Sequence, residues 1–423
     1  MCIKAFLRSS HGCHVQRLGR LVAARSTKGK EVYAAIDNTN SLTALSHTEN
    51  TKSKSNMATC RIEVLVIVVT SIIANSSFGN AKVSCKNAKN KDVDWFVVYK
   101  IPKTKPDPRS FKRPMGGEMA YYDSQSTSLL WTLLPDDVNN KTSNPISNTL
   151  APIYDSHSNV AYLAYNDQLP AKFNGTRGGH TKGVLLAGDK LKLGSVWLQH
   201  SVPRFVGDVK KGYHYPKTGR ENGQLFFCIT FPQAAVEVIA YHLQLQGANV
   251  YQERYLRWTE KLPKFSALLK KQYIRGLSGV RVDVLYTRRN RAVLAIAKSP
   301  RWMNDVYTQE LSGHIKDSIT VQTWQNGAGG AQDMNCKNQY KITNVVYVSV
   351  KTQKGSLYFS SREDHSKWSV ARHKAVFCFS SLNRMVSQWK RGGEITCIFD
   401  IPLSNLFRQS IFKRNLCKGE KAE

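Results

Sequence analysis

The sequence predicts an α/β chain dominated by strands. Many short runs are aromatic and β-branched, one segment carries helical spacing, and two His-x-Lys segments lie beside strand-like runs at similar places in the two halves of the chain. Asp94-Trp-Phe-Val-Val-Tyr-Lys100 reads as a buried strand stopped by Ile101-Pro102. Pro106, Pro108, Pro114, Gly116 and Gly117 make 103–117 a loop. Tyr121, Tyr122 and Leu129 to Leu134 point to ordered structure, and the polar stretch 135–149 to a loop or the approach to a helix. Strands are expected at Asn159–Tyr165, Gly183–Ala187, Val196–Gln199 and Leu225–Thr230, with a basic, glycine-rich surface loop over 203–223. Ala235, Val238, Ile239 and Leu243 give Pro232–Leu245 a helical period. Further strands are expected at Arg281–Tyr286, Ala292–Ala297, Ser318–Trp324, Val345–Val350 and Ile395–Phe399, the last after a turn over Trp389–Glu394.

The N-terminus reads differently. Residues 1–56 are polar and show no sustained apolar period, so they are expected to be an upstream extension, disordered or absent from the mature protein. Met57-Ala-Thr-Cys-Arg61 then leads into Ile62, Val64–Val69, Ile72 and Ile73, followed by small residues. That run is short for a membrane span and has the layout of a secretory signal over 57–81, cut near Gly79-Asn-Ala81. The mature region is then 82–423, with halves at about 82–245 and 246–423, and no membrane anchor is expected.

The 423 residues carry a net charge of +31. Residues 1–81 hold 10 Lys+Arg and 4 Asp+Glu, so 51 minus 26 leaves +25 on the remainder. A field of that sign favours a polyanionic partner. Cys85, Cys228, Cys336, Cys378, Cys397 and Cys417 follow the expected cut, an even set that suits disulfides in an oxidising compartment; spacing alone does not choose the pairing. No Cys-x-x-Cys or Cys/His cluster points to a metal site, and no cofactor is expected.

The chemistry sits in His180-Thr-Lys182 and His365-Ser-Lys367. Cleaving a phosphodiester without a metal needs a nucleophile, an acid for the leaving alkoxide and positive charge on the equatorial oxygens. Histidine can fill the first two roles in mildly acid solution, and a lysine two residues along an extended segment shares its face. The dyad alone is weak: roughly one such pattern is expected by accident among so many lysines, and His314-Ile-Lys316 is a third copy.

Context selects the pair. Asp94-Trp-Phe-Val-Val-Tyr-Lys-Ile-Pro102, Gly179-His-Thr-Lys-Gly-Val-Leu-Leu186, His200-Ser-Val-Pro203 and Glu363-Asp-His-Ser-Lys-Trp368 closely resemble the deoxyribonuclease II family, in order, from about Cys85 to Cys417. That family is related to phospholipase D. The resemblance implies a pseudo-twofold pair of phospholipase D-like α/β/α sandwich halves in one compact chain, each giving one dyad to a single site. It also implies acid DNA cleavage through a phosphohistidine without a metal, leaving 3′-phosphate and 5′-hydroxyl ends. Three disulfides are implied: Cys85–Cys228, Cys336–Cys417 and Cys378–Cys397.

The superfamily pattern continues with an Asp and then Gly-Ser-x-Asn. After Lys367 the matching stretch is Ser380-Ser-Leu-Asn383, with Arg372 at the Asp position; after Lys182 it is Gly194-Ser-Val-Trp197, with Asp189 two residues late. Asn383 therefore stands as a supporting residue, while Asp189 and Ser195 fit poorly. His200 is a second supporting candidate, either lining the cleft or serving the structure, and His314 reads as an ordinary surface histidine. Lys210, Lys211, His214 and Lys217 with Tyr213 and Tyr215 suit either phosphate and base contacts or a solvated loop. Arg288, Arg289 and Arg291 read as exposed charge. Asn140 and Asn174 begin glycosylation motifs.

The leading reading is an acid endonuclease with DNA as substrate, lysosomal or secreted and monomeric. The alternatives are a secreted toxin-like binder of DNA or another polyanion, and a phospholipid phosphodiesterase.

Overall fold

The computed structural model describes residues 82–420 and the backbone of 21–25, 31–36 and 42–45. Contacts divide the chain into two units, Met1–Phe78 and Gly79–Glu423. In the first, β1 (Leu21–Arg25), β2 (Glu31–Ile36) and β3 (Leu42–Leu45) form an antiparallel sheet in that order. The expected signal segment 57–81 lies outside the described residues.

The second unit is α/β, with far more sheet than helix. It opens with the two-residue ladder of β4 (Cys85–Lys86) and β5 (Asp92–Val93). Its first sheet is built from β6 (Trp95–Lys100), β7 (Met119–Asp123), β8 (Thr132–Leu133), β9 (Ala161–Tyr165), β10 (Gly183–Ala187), β11 (Ser195–His200), β12 (Gln224–Phe231) and β13 (Val250–Arg254), in the spatial order β13-β9-β10-β11-β12-β6-β7-β8. Its second sheet contains β14 (Val280–Tyr286), β15 (Ala292–Lys298), β16 (Ile319–Gln322), β17 (Ile342–Thr352), β18 (Gly355–Ser360), β19 (Trp368–Ala371), β20 (Val376–Ser380) and β21 (Gly393–Phe399), ordered β14-β15-β21-β20-β19-β16-β17-β18, with β22 (Ile411–Arg414) on β17. Every pair is antiparallel except β16 with β17. The expected strands all form, within a few residues of their predicted ends.

The faces explain the composition. Trp95, Val97 and Tyr99 of β6 look into one core; Phe96 and Val98 look into another. A sheet covered on both sides reads as a continuous apolar run instead of an alternating one. The core between the sheets is shared: Phe227 of β12 meets Phe377 of β20 edge-on at 5.6 Å, and Tyr99 meets Phe359 of β18 at 5.7 Å.

Helices fill the remaining surfaces. α1 (Pro145–Tyr154) is capped by Asn144, whose side chain accepts from the N–H groups of Ile146 and Ser147. α2 (Ala235–Gln246) is the helix expected from its spacing, and ends at Gly247 in the left-handed conformation. α3 (Pro263–Leu269), the single turn α4 (Ser312–Ile315) and α5 (Ile401–Gln409) were not foreseen. α1, α3 and α5 each carry Pro in the first turn, where the missing N–H costs nothing but the residue reads as a breaker.

Three disulfides join Cys85 to Cys228, Cys336 to Cys417 and Cys378 to Cys397, the pairs that the family resemblance implies. The loop 203–223 is less solvated than its composition suggests, because Phe205, Val206, Tyr213 and Tyr215 are buried beneath the first sheet's outer face.

Candidate active site

Each His-x-Lys segment is a short extended stretch just before a central strand. His180-Thr-Lys182 leads into β10 and His365-Ser-Lys367 into β19. The strand beside each dyad holds it alike: the His200 N–H at the end of β11 donates to the Lys182 carbonyl at 3.1 Å, and the Ser380 N–H at the end of β20 to the Lys367 carbonyl at 3.0 Å. One residue on, the Ser201 and Ser381 amides donate to the Leu225 and Glu394 carbonyls, each at 3.0 Å.

The two sheets then exchange contacts. The His180 N–H donates to the Gly392 carbonyl at 2.8 Å, and Gly392 donates back to Gly178 at 3.0 Å. The His365 N–H donates to the Gly223 carbonyl at 2.9 Å, and Gly223 donates back to Glu363 at 2.8 Å. Gly223 and Gly392 immediately precede β12 and β21. Each dyad is therefore pinned to the opposite sheet. An added Cβ on Gly223 would lie 2.4 Å from Asp364 Oδ1, and one on Gly392 2.0 Å from the Gln246 carbonyl, so the approach requires glycine at both places.

The residue between His and Lys is anchored inward. Thr181 Oγ1 donates to Glu394 Oε2 at 2.7 Å, and Ser366 Oγ to Asp364 Oδ2 at 2.7 Å. Asp364 also accepts from the Ser366 N–H and the Tyr99 hydroxyl. With the middle hydroxyl fixed below, the flanking His and Lys share the opposite face.

His180 Nδ1 lies 2.6 Å from the Ser381 carbonyl, which fixes the N–H on Nδ1 and leaves the Nε2 lone pair free. His180 Nε2 is 3.8 Å from Asp167 Oδ2, and Asp167 accepts from Lys182 Nζ and, at 3.3 Å, from Arg391 Nη2. Lys367 Nζ donates to its own dyad's His365 carbonyl at 2.7 Å, and the His365 ring stands edge-on to Trp324, with centroids 3.9 Å apart.

The groups feel one another across the two halves. Burial and then the Lys182 charge, with smaller parts from Lys367 and Arg391 against the opposing pull of Asp167, hold His180 down at about 3. His365 is also held at about 3, by burial and then Lys367 and Lys182. Burial and Lys182 lower Lys367 to about 7. Lys182 thus acts on all three, so the two dyads form one electrostatic unit. Both imidazoles are therefore neutral above that range, beside three cations, Lys182, Lys367 and Arg391, of which Lys182 and Arg391 share the Asp167 carboxylate.

The supporting residues divide. Asn383 lies two residues after Ser381, whose carbonyl orients His180, and its Oδ1 is buried without a hydrogen-bond partner. His200 does not line the cleft surface. Its ring is buried against Phe205 and Phe226, its Nδ1 accepts from the Val202 N–H, and burial holds it at about 3. The hydrogen bonds also correct the motif alignment: Ser380-Ser-Leu-Asn383 corresponds to His200-Ser-Val-Pro203, not to Gly194-Ser-Val-Trp197. Asp189 and Ser195 flank the far end of the β10–β11 pair, away from the dyad.

Elsewhere, His314 is on the surface helix α4, 3.5 Å from Glu310. Lys210, Lys211, His214 and Lys217 are exposed, but Tyr213 and Tyr215 are buried, with their hydroxyls on the Val138 and Gly219 carbonyls, and offer no stacking platform. Arg288, Arg289 and Arg291 lie at the β14–β15 turn, at the end of that hairpin remote from Lys298. Asn140 and Asn174 are exposed. Among the described residues, no three His, Cys, Asp or Glu side chains are grouped to hold a metal, and no helix is long and apolar enough to cross a membrane.

Sequence reading assigned no role to Asp167, Arg391, Glu394 or Asp364. Asp167 follows β9, Arg391 and Glu394 flank the start of β21, and Asp364, although inside the Glu363–Trp368 block, is joined to Tyr99 and Ser366 only by the fold.

A deoxyribonuclease II family model matches residues 84–417. Plancitoxin-1 of Acanthaster planci is 32% identical over 359 residues, 83% of this chain and 96% of that protein. Deoxyribonuclease-2-beta of Homo sapiens is 31% identical over 349 residues, covering 80% and 93%. Cell-death-related nuclease 7 of Caenorhabditis elegans is 31% identical over 350 residues, covering 81% and 90%. The matched span takes in both sheets and both pinned dyads, and the chain belongs to the deoxyribonuclease II family of DNA-hydrolysing enzymes.

Proposed function

We propose that this protein cleaves DNA endonucleolytically in acid, without a metal, through a phosphohistidine formed between the two dyads. The observation that carries this is the crosswise seam, in which the His180 N–H is bonded to Gly392 and the His365 N–H to Gly223, so each dyad hangs from the sheet that holds the other; the depressed proton affinities of His180, His365 and Lys367 agree with it. The repeated hydrogen bonds around β10-β11-β12 and β19-β20-β21 support a pseudo-twofold, phospholipase D-like pairing of halves.

His180 is the attacking residue in this reading, because its Nδ1–H is engaged by the Ser381 carbonyl and Nε2 presents a lone pair. Nε2 bonds to phosphorus, and the P–O5′ bond breaks. His365, protonated once the phosphodiester's negative charge has raised its affinity for a proton, gives that proton to the departing 5′-oxygen. Lys182 and Lys367 hold the equatorial oxygens, and Asn383 is a supporting residue beside them. His365 then takes a proton from water, whose oxygen attacks phosphorus and breaks the P–N bond. The products are a 3′-phosphate and a 5′-hydroxyl, and His180 is restored. His200 supports Lys182 from behind.

DNA fits better than a phospholipid headgroup because the charge of +25 on residues 82–423 suits a polyanion. Three disulfides fit the lysosome or the exterior. Denaturing quench during turnover of 32P-labelled DNA, followed by peptide mapping under alkaline conditions, tests the intermediate. Label on the His180 peptide is expected; label on neither His180 nor His365 sinks the covalent mechanism.

A further inference from the structure

Two lysines outside the dyads occupy matching places. Lys100 ends β6 opposite Gln224 of β12, and Lys298 ends β15 opposite Gly393 of β21. Both are buried, at 0% and 1% exposure, and neither forms an ion pair with a carboxylate among the described residues. Their ammonium groups are spent on backbone carbonyls. Lys100 Nζ donates to Arg220 at 2.9 Å and Asn222 at 2.5 Å; Lys298 Nζ donates to Trp389 at 2.9 Å and Arg391 at 2.6 Å, and also to Trp302 at 3.0 Å.

The offsets coincide. Arg220 and Asn222 stand three and one residues before Gly223; Trp389 and Arg391 stand three and one before Gly392. Those glycines accept the His365 and His180 amides. A buried ammonium with no carboxylate partner is costly. Finding it twice, on the same two carbonyls of equivalent loops, argues for a role in holding those loops.

We propose that Lys100 and Lys298 are crosswise positioning residues: each clamps the loop of its own sheet that carries the other sheet's dyad, Lys100 setting His365 and Lys298 setting His180. The chain of contact runs from the lysine ammonium to two carbonyls, to the following glycine, to the histidine amide. Neither lysine touches the substrate. The inference rests on His180 and His365 being the reacting pair, but its structural part does not.

The test measures site-resolved amide exchange by NMR in the full disulfide-bonded protein, alongside DNA cleavage kinetics. Lys100→Met is expected to speed exchange of the His365 amide at least tenfold and leave that of His180 unchanged; Lys298→Met is expected to do the reverse. Each is expected to lower kcat about 100-fold with KM little altered, the scale of a small misplacement of a reacting group. If both amides change together in either variant, or neither changes, the proposal is overturned. Should the Met variants not fold, Lys100→Gln and Lys298→Gln are measured in the same way. The unmodified protein is also decisive: the Nζ protons of Lys100 and Lys298 should exchange slowly in 15N-lysine spectra, and exchange as fast as surface lysines refutes the clamps. Crosswise exchange in a protein that does not cleave DNA would leave the clamps standing and defeat the functional reading. Cleavage without the crosswise pattern would do the opposite.

Discussion

The backbone N–H of His365 donates to the carbonyl of Gly223 at 2.9 Å, so a histidine of the second sheet hangs from the first. The His180–Gly392 bond repeats the relation in reverse at 2.8 Å. The cleft is thus maintained by the seam between the sheets, and small disturbances of that seam should cost activity more than stability.

Gly223→Ala tests this. The new methyl group would meet Asp364 Oδ1 at 2.4 Å, against a carboxylate already fixed by Tyr99 and Ser366. A loss of about 1–3 kcal/mol in urea unfolding is expected, the usual cost of overpacking, with cleavage reduced more than tenfold. Gly313→Ala, which meets nothing within 4 Å on α4, should be neutral or slightly stabilising. Equal behaviour of the two variants would contradict the seam.

Among the described residues, Asp167 is the carboxylate shared by Lys182, Arg391 and, at 3.8 Å, His180. Asp167→Asn leaves the buried Lys182 uncompensated and frees the half-buried Arg391. A destabilisation of about 3 kcal/mol is expected, in the range for breaking a buried pair, together with a fall in kcat because Lys182 loses its aim. Unchanged kcat in a folded variant would remove Asp167 from the site.

How much of this was legible in the sequence depends on what each residue sits beside. His180, Lys182, His365 and Lys367 were found because their motif is local and their flanking strands are distinctive. Asp167 follows Asn166 in a loop after β9 and looks like any turn residue; it joins the site only because β9 pairs with β10. Lys298 ends β15 and Arg391 precedes β21, and they become neighbours only because those two strands pair, which no single-sequence spacing records. Tyr213 and Tyr215 were misjudged for the opposite reason. Lysines and glycines around them read as solvent, while the rings turn inward onto Phe205 and Phe226. The strands themselves were legible because sheets buried on both faces leave unbroken apolar runs.

The neutral histidines set a pH signature. In the folded protein His365 is held at about 3, against roughly 6.5 when unfolded. Between those values the unfolded chain binds the extra proton, so stability rises with pH from about 3 to 6.5 and this contribution is flat above. Glu394 acts oppositely: raised to about 7 by burial, it favours the fold at low pH and loses that contribution as pH climbs through 7. Replacing His365 isolates its share. Urea unfolding of His365→Gln should show a smaller loss of stability from pH 7 to pH 4.5 than the parent protein, by at most about 1.4 kcal/mol per pH unit. An identical loss in both would show that His365 is not held neutral.

The central claim is that the two dyads make one DNA-cleaving site that needs no metal. Its most direct test is plasmid cleavage at pH 5 in EDTA by the purified, disulfide-bonded protein, beside His180→Ala and His365→Ala. The account predicts nicking by the parent protein and a loss of at least about 1,000-fold in each folded variant, since reacting residues that act as a unit fail together. Full cleavage by either variant, or no cleavage by the parent at any acid pH, would contradict it.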